Sequence, residues 1–585
     1  MKSRHTYLAW ISLCISANAQ GYDYVIAGAG TCGLVLANRL SEDPNVRVAV
    51  IEPGADVRNN PNVTDVGGFT TAFGTSIDWQ YVTTPQPGAG NQTIAYHAGK
   101  AIGGTSTING MTYVRGDKAE FDAWEALGNE GWNWDTLFPY IEQIERFTAP
   151  SAAQEAAGAT YQPKYHGERG HVHTGYPFSL INGSLHETVQ KSWESLGYPL
   201  NRDVNSGDVR GFSVWPQTLD RDANIRDDAA RAYYYHIEDR PNLKIINGTV
   251  TKIIWANTTV SSTDAVAEGL EYVTPDGKVV QINATKEVIL SAGALRSPLI
   301  LESSGVGNSQ ILDKLGIETK IELPGVGEHF QDQTNVVIIY TNSLNLTGTS
   351  PYATFTSAED LFGSDISAIA AATAAKLPHW ASQVAAAHEG AIDSKAIETL
   401  FRIQHDLIFN KNVTIGESLV FVTAEYLGLA FWFLLPFSWG SLHLLSAQAV
   451  GSPEIDPKYF LIDFDLDVQT RLGRVSQEFR YTEPISRVVT GSVSPSEADL
   501  PRNATDRQWE SFLRSAVTAN HHSIGTASMM SRELGGVVDP KLKVYDTSNV
   551  RVVDASILPL QISGHLTATL YAVAERVAEF IIEGL

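Results

Sequence analysis

The stretch YDYVIAGAGTCGLVLANRLSEDPNVRVAVIE, residues 22–52, constrains this chain more than any other. It opens on an apolar run, residues 22–27, that reads as a strand. A glycine turn follows, Gly28-Ala29-Gly30-Thr31-Cys32-Gly33, and then a helical pattern with Leu34, Val35, Ala37 and Leu40 on one face. Residues 47–51 read as a second strand that ends on Glu52. This is a βαβ unit with a dinucleotide fingerprint. Gly28 permits the tight turn, Gly30 lets backbone approach a pyrophosphate, and Gly33 lets helix and strand pack closely. The helix N-terminus offers unpaired N–H groups and a positive dipole end to phosphates. Glu52, nineteen residues beyond Gly33, stands where a carboxylate accepts hydrogen bonds from ribose hydroxyls. Glycines at this spacing also mark ordinary turns; the strand, helix and terminal acid around them favour a dinucleotide, without saying which.

At 585 residues the chain exceeds one small core, and its 43% hydrophobic and 18% charged content is that of a folded protein. A formal net charge of −23, with no basic stripe, repels phosphate backbones and excludes nucleic acid as a partner. Lys2 and Arg4, an apolar stretch at 7–15 and the small residues Ala17-Asn18-Ala19 read as a secretory signal peptide, residues 1–19. That run is too short to span a bilayer, so a secreted or secretory-lumen protein without a membrane partner is expected. Sequons at Asn62, Asn91, Asn182, Asn247, Asn257, Asn283, Asn345, Asn412 and Asn503 fit a glycoprotein. Cys14 would leave with the signal, and Cys32 would remain as the sole thiol, so neither a disulfide nor a cysteine metal site forms. No metal is expected, and Cys32 is read as a small residue suited to its turn.

Residues 98–116, AGKAIGGTSTINGMTYVRG, crowd glycines and small hydroxyl residues so closely that backbone must approach another object, either neighbouring backbone or a flat cofactor ring. Residues 242–255 read as strand, turn, strand. Residues 287–307 give an apolar strand, a small-residue turn and an amphipathic segment, a second nucleotide-contacting junction. Residues 357–410 are helix-periodic, and 419–425 and 441–446 look like strands. Between these, YLGLAFWFLLPFSW (426–439) is too short for a membrane span and is interrupted by Pro436; it reads as a buried strand or pocket wall. The last segment returns to α/β character, with a helix from about residue 567 to 582.

Together these motifs resemble the glucose–methanol–choline (GMC) family of flavin oxidoreductases over nearly the whole mature chain. The resemblance rests on Gly28–Gly33 with Glu52, on GKAIGGTSTINGM (99–111), SAGALRSPLILESSGVG (291–307) and LPGVGEHFQD (323–332), and on NHHSIGT (520–526) with VVDASILPLQISGHLTATLYAVAER (552–576). It implies an α/β fold in which a Rossmann-type FAD-binding domain, residues 20–150, 225–320 and 516–585, interleaves with an α+β substrate domain, residues 151–224 and 321–515, built on an antiparallel sheet. The implied cofactor is FAD. Its adenosine half would lie on Gly28, Gly30, Thr31, Cys32 and Gly33, with Glu52 on the ribose and Val250 at the adenine. Gly99, Gly103, Gly104, Ser106, Asn109, Gly110 and Met111 would follow the pyrophosphate and flavin, with Asp554, Ala555 and Leu566 closing the far side. Ile108 occupies the position at which some members tether their flavin through histidine, so a non-covalent FAD is expected.

The resemblance also implies alcohol oxidation: hydride to flavin N5, His522 taking the hydroxyl proton, and His565 bonding the same oxygen. A neutral imidazole suits that proton transfer. Ser523 departs from the usual proline after this histidine. His521 is assigned to structure because neighbouring strand side chains point oppositely. The nearest look is to secreted fungal glucose dehydrogenase- and oxidase-like members, through DDAARAYYY (227–235) and GTSTINGM. The expected sugar contacts are less faithful, since Thr518 stands where that branch carries arginine. With Thr518, Asn520 and Glu417 as pocket candidates beside the apolar 426–439 segment, the expected substrate is a small primary, aryl or secondary-metabolite-like alcohol. Glucose is the alternative, and an FAD-retaining cyclase or lyase is the alternative outside redox chemistry. The electron acceptor, O₂ or a quinone, stays open, and a homodimer is compatible with these features.

Overall fold

The computed structural model describes residues 21–181, 185–257 and 264–585. The expected signal peptide, Cys14 and the Asn182 sequon lie outside these residues. Residues 22–27 form the strand Tyr22–Ala27, in which Val25, Ile26 and Ala27 have no exposed surface. An unbroken apolar run of this kind belongs to a parallel strand covered on both faces. On one side the strand pairs in parallel with Val48–Glu52, which pairs in parallel with Leu243–Asn247. On the other it meets the last residues of Val279–Leu290, and that strand then pairs in parallel with Val550–Val552. The first half of Val279–Leu290 leaves this ladder to pair antiparallel with Ala267–Val273, and the latter pairs with Thr249–Trp255. The mixed sheet thus draws on the beginning, middle and end of the chain. The helices Thr31–Leu40 and Leu566–Ile582 pack together against it.

The second large sheet is antiparallel throughout. It runs, in spatial order, through Val489–Ser494, Thr334–Asn342, Tyr426–Phe433, Thr414–Val422, Tyr352–Ser357 and Gly211–Val214. The short strand Thr518–Ala519 joins the start of Thr334–Asn342. Cross-strand register puts Val337, Ala430 and Leu419 side by side on one face, and Trp432 opposite Glu417 on that same face. The other face meets the helix Asp463–Phe479: Ser418 Oγ lies 3.1 Å from Ser476 Oγ, and the Phe433 ring packs against Phe464. Segment 426–439 is therefore a buried strand and turn, as its sequence reads. No helix among the described residues is long and apolar enough to cross a membrane.

A buried chain of charge ties the helix Ser297–Ser303 to the short strand Ser441–His443 and to the end of the helix Ile366–Ala387. Glu302, on the helix Ser297–Ser303, lies 2.7 Å from His443 Nδ1, while Glu328 meets His443 Nε2 at 3.3 Å and His388 Nδ1 at 2.5 Å. Burial opposes a charged His443, yet the carboxylates of Glu302 and Glu328 push it up to about 10. Burial likewise opposes a charged Glu328, and His388 and His443 pull it down to about 2.

Candidate active site

A cavity of about 1170 Å³ runs from the glycine turn to the antiparallel sheet. Its near end is made largely of backbone. Gly28 has φ +101°, and a Cβ there would stand 2.4 Å from the Ser291 carbonyl oxygen, so only glycine fits. Glu52 is buried behind the turn, where Oε2 accepts from Ala29 N at 2.9 Å and Oε1 from Gly54 N at 2.7 Å. Each oxygen keeps a further lone pair for a hydroxyl. Burial pushes this carboxyl up to about 7 against those two N–H bonds. Cys32 lies in the same wall, its Sγ 3.4 Å from the Leu570 carbonyl, and burial raises the thiol well above its ordinary range. That environment suits an inert thiol.

Of the expected cofactor residues, Gly28, Gly30, Thr31, Cys32, Glu52, Gly99, Gly104, Ser106, Asn109, Gly110, Met111, Val250, Asp554, Ala555 and Leu566 line the cavity. Gly33 and Gly103 do not, which corrects that expectation. Gly33 serves helix-on-strand packing, since a Cβ there would stand 2.1 Å from Gly28 O; Gly103, at φ +112°, supplies a turn beneath the wall. The crowded 98–116 segment meets neighbouring backbone as well as the cavity: a Cβ on Gly104 would be 2.7 Å from Gly30 Cα, and one on Gly99 would be 2.2 Å from Gly104 O. Ile108 is buried in the wall at the position expected for it. An elongated cavity with a glycine turn and helix N-terminus at one end, and a carboxylate behind them, fits a dinucleotide.

At the far end, the rings of His522 and His565 meet edge to face with centroids 4.9 Å apart. His522 follows the short strand Thr518–Ala519, and its backbone is held from both sides: N donates to Asp332 Oδ1 at 2.8 Å, and O accepts from Gln561 Nε2 at 2.7 Å. Its Nδ1 lies 2.8 Å from Gln333 Oε1. Burial, then the neighbouring His565 and His521, hold the ring well below the ordinary histidine range, so it is neutral near pH 7. His565 caps the helix Leu566–Ile582 at its N-terminus and places Nε2 about 3.3 Å from Glu417. His521 has φ +62° and is not a strand residue, so alternation does not turn it from the cavity, which it lines together with Phe73 and His97. Its ring meets Phe73, Tyr96 and His97, and burial lowers it to about 3.

Three pocket candidates separate. Asn520 lines the cavity. Glu417 does not; it is buried behind His565 and orients that ring instead. Thr518 is exposed and off the wall, because its short side chain turns to donate to the Asn335 carbonyl at 3.2 Å. The 426–439 segment supplies Ala430 and Trp432 to the wall, as its sequence suggests, whereas Val337, Leu419, Phe421 and the polar Asn335 were not anticipated there. The period-two pattern of the 414–433 hairpin carries Leu419, Phe421, Ala430 and Trp432, and the strand Thr334–Asn342 carries Asn335 and Val337, but only the register shows which face lines the cavity. Trp432 packs 6.3 Å from His565, ring to ring, and its buried indole N–H has no protein partner. Among the described sequons, Asn91, Asn247, Asn257, Asn283, Asn345 and Asn503 are exposed, whereas Asn62 and Asn412 are half-buried.

Two family models described as GMC oxidoreductase match the chain, over residues 22–335 and 436–574. The glucose oxidase-like protein fsoC of Humicola fuscoatra is 51% identical over 564 residues, covering 96% of this chain and 95% of the relative. An FAD-dependent oxidoreductase from Chaetomium thermophilum superposes with a TM-score of 0.88 at 30% identity, over 96% of this chain and 99% of that structure. A fungal aryl-alcohol oxidase superposes with a TM-score of 0.85 at 26% identity, over 97% and 99%.

Proposed function

The chain belongs to the GMC oxidoreductase family and is an FAD-dependent oxidoreductase; from that premise we propose that it is secreted, oxidises an alcohol to a carbonyl, and uses His522 as the base. The observation that carries this reading is the neutral His522 held against His565 at the end of a dinucleotide-sized cavity. The Rossmann-type parallel half of the mixed sheet, with Gly28, Gly30, Thr31 and Glu52, would hold the pyrophosphate and ribose, and Asn109, Gly110 and Met111 would flank the flavin. Interleaved segments 20–150, 225–320 and 516–585 would make up this FAD-binding domain, and 151–224 with 321–515 the substrate domain. Bound FAD supplies the acceptor for the hydride that leaves the carbinol carbon. His522 receives the hydroxyl proton on Nε2, and His565, oriented by Glu417, bonds the same oxygen. With Ile108 in the wall, FAD is non-covalent, and acid-precipitated protein should release all of its yellow colour.

The substrate is a small primary or aryl alcohol. Val337, Leu419, Phe421 and Ala430 line the same cavity as the histidines without a donor or acceptor, whereas a sugar would bury several hydroxyls against them unpaired. Anaerobic flavin reduction by benzyl alcohol and by glucose tests this. Faster reduction per unit concentration by benzyl alcohol is expected; the opposite order would replace it with glucose. If no member of an alcohol panel reduces the flavin, the redox reading itself fails and an acid–base cyclase or lyase takes its place. Readmitting air then separates O₂ from a quinone as acceptor. Secretion with glycans on the exposed sequons, Asn91 and Asn503 among them, predicts a culture-medium protein whose mass falls on glycosidase treatment.

A further inference from the structure

Gln333 immediately precedes the strand Thr334–Asn342 and has no exposed surface. One end of its amide lies 3.0 Å from the backbone carbonyl of Leu434. A carbonyl only accepts, so that end is the NH₂ group and the other is the oxygen. The oxygen receives Asn520 Nδ2 at 2.9 Å and stands 2.8 Å from His522 Nδ1. An acceptor at that distance requires hydrogen on Nδ1, and a neutral imidazole carries only one, so the lone pair falls on Nε2. Asn520 Nδ2 also lies 3.1 Å from His522 Nδ1, but Nδ1 and Gln333 Oε1 are only 2.8 Å apart, so the two diverging hydrogens of the NH₂ group cannot reach one each, and the one on that side goes to Gln333. With its NH₂ thus engaged, Asn520 turns its oxygen to Asn335 Nδ2 at 3.2 Å. The last oxygen of the series, Asn335 Oδ1, is buried without a protein partner on a residue that lines the cavity.

We propose that Gln333 is a positioning residue: it reads the Leu434 carbonyl and fixes His522 as the Nδ1–H tautomer with Nε2 free. The use made of that tautomer rests on His522 being the base; the tautomer itself does not. The titratable groups around the ring are His565 at its edge, His521 before it in the chain, Asp332 on its backbone N–H, and Glu417 behind His565.

The direct test is long-range ¹⁵N NMR on FAD-loaded enzyme labelled at histidine, with the His522 signals assigned by their loss in His522→Ala. A protonated Nδ1 and unprotonated Nε2 near pH 8 are expected; the opposite tautomer, or an even mixture, overturns the proposal. Gln333→Met and Gln333→Glu give an independent reading through the pH dependence of anaerobic flavin reduction. Removing the acceptor should slow reduction by roughly a hundredfold, the low end of what a positioned base contributes, and move the acid limb to lower pH. The carboxylate should retain the hydrogen bond and move that limb above wild type. Identical limbs in all three proteins, with melting temperature and bound FAD retained, overturn it. If wild type reduces no alcohol, the base assignment has failed, while the NMR result still decides the tautomer.

Discussion

The two ends of the cavity are built by different means. The glycine-turn end is organised on one contiguous βαβ segment, against which Gly104, Val250 and Ser291 are packed, and there backbone makes most of the site while side chains mostly stay out of the way. The histidine end is assembled from strands near residues 335, 419, 430 and 520 and from the cap of the last helix, and side-chain amides and rings make it. A backbone site tolerates almost no added volume. A side-chain site tolerates substitution of single members and expresses it as changed chemistry or selectivity. The contrast predicts different failures: loss of the holoenzyme at one end and loss of function in a holoenzyme at the other.

The largest effect should come from Gly28→Ala. Its Cβ would meet the Ser291 carbonyl at a φ that only glycine adopts readily, for a cost on the order of 3 kcal/mol. The expected result is protein with little bound FAD and a clearly lowered melting temperature. Full flavin content at the wild-type melting temperature would break the comparison at its first term. Next is His522→Ala, which should keep FAD and its stability while slowing anaerobic reduction by alcohol about 10²- to 10⁴-fold. Loss of flavin in this variant would mean that the two ends are not separable.

Outside the cavity wall lies the junction formed by Glu302, His443, Glu328 and His388. His443 is raised to about 10, so its contribution to stability is complete below about 6.5, its unfolded value, and is lost as pH rises through about 10. Glu328 is lowered to about 2, so its contribution is present above its unfolded value and disappears as pH falls through about 2. The melting temperature of wild type should therefore fall by roughly a few degrees between pH 7 and 10. His443→Gln should melt lower at pH 7 and change less across the same window. Parallel curves for the two proteins would show that the junction does not stabilise the fold through charge.

The same contrast explains what could be read from sequence. Gly28, Gly33 and Glu52 declare themselves because their spacing is local and each position has a conformational reason. The strand in 426–439 is legible from length and Pro436. At the histidine end the informative relations are cross-strand. Nothing local tells that Leu419 faces Ala430, that Glu417 stands behind His565, or that Thr518 turns away from the cavity. Gln333 did leave a signal, an amide within the polar run QDQTN that leads into a buried strand, where each polar group needs a partner. The alternation argument for His521 failed because the chain there leaves the strand after Ala519 and takes a positive φ.

The smallest effect, and the finest test of the contrast, is Thr518→Arg. Thr518 is exposed beside Asn335, and its short side chain is satisfied by a backbone carbonyl. An arginine there would keep its guanidinium near water while gaining the length to reach toward the cavity mouth. It would add donors for a polyhydroxylated ligand without disturbing Val337, Leu419 or Ala430. Reduction by glucose should therefore improve by about fivefold, near 1 kcal/mol, while reduction by benzyl alcohol, the melting temperature and FAD content stay at wild-type values. If benzyl alcohol loses as much as glucose gains, the wall and the mouth form one subsite. If glucose gains nothing, the apolar wall alone governs selection, and polarising Leu419 becomes the more direct way to change it.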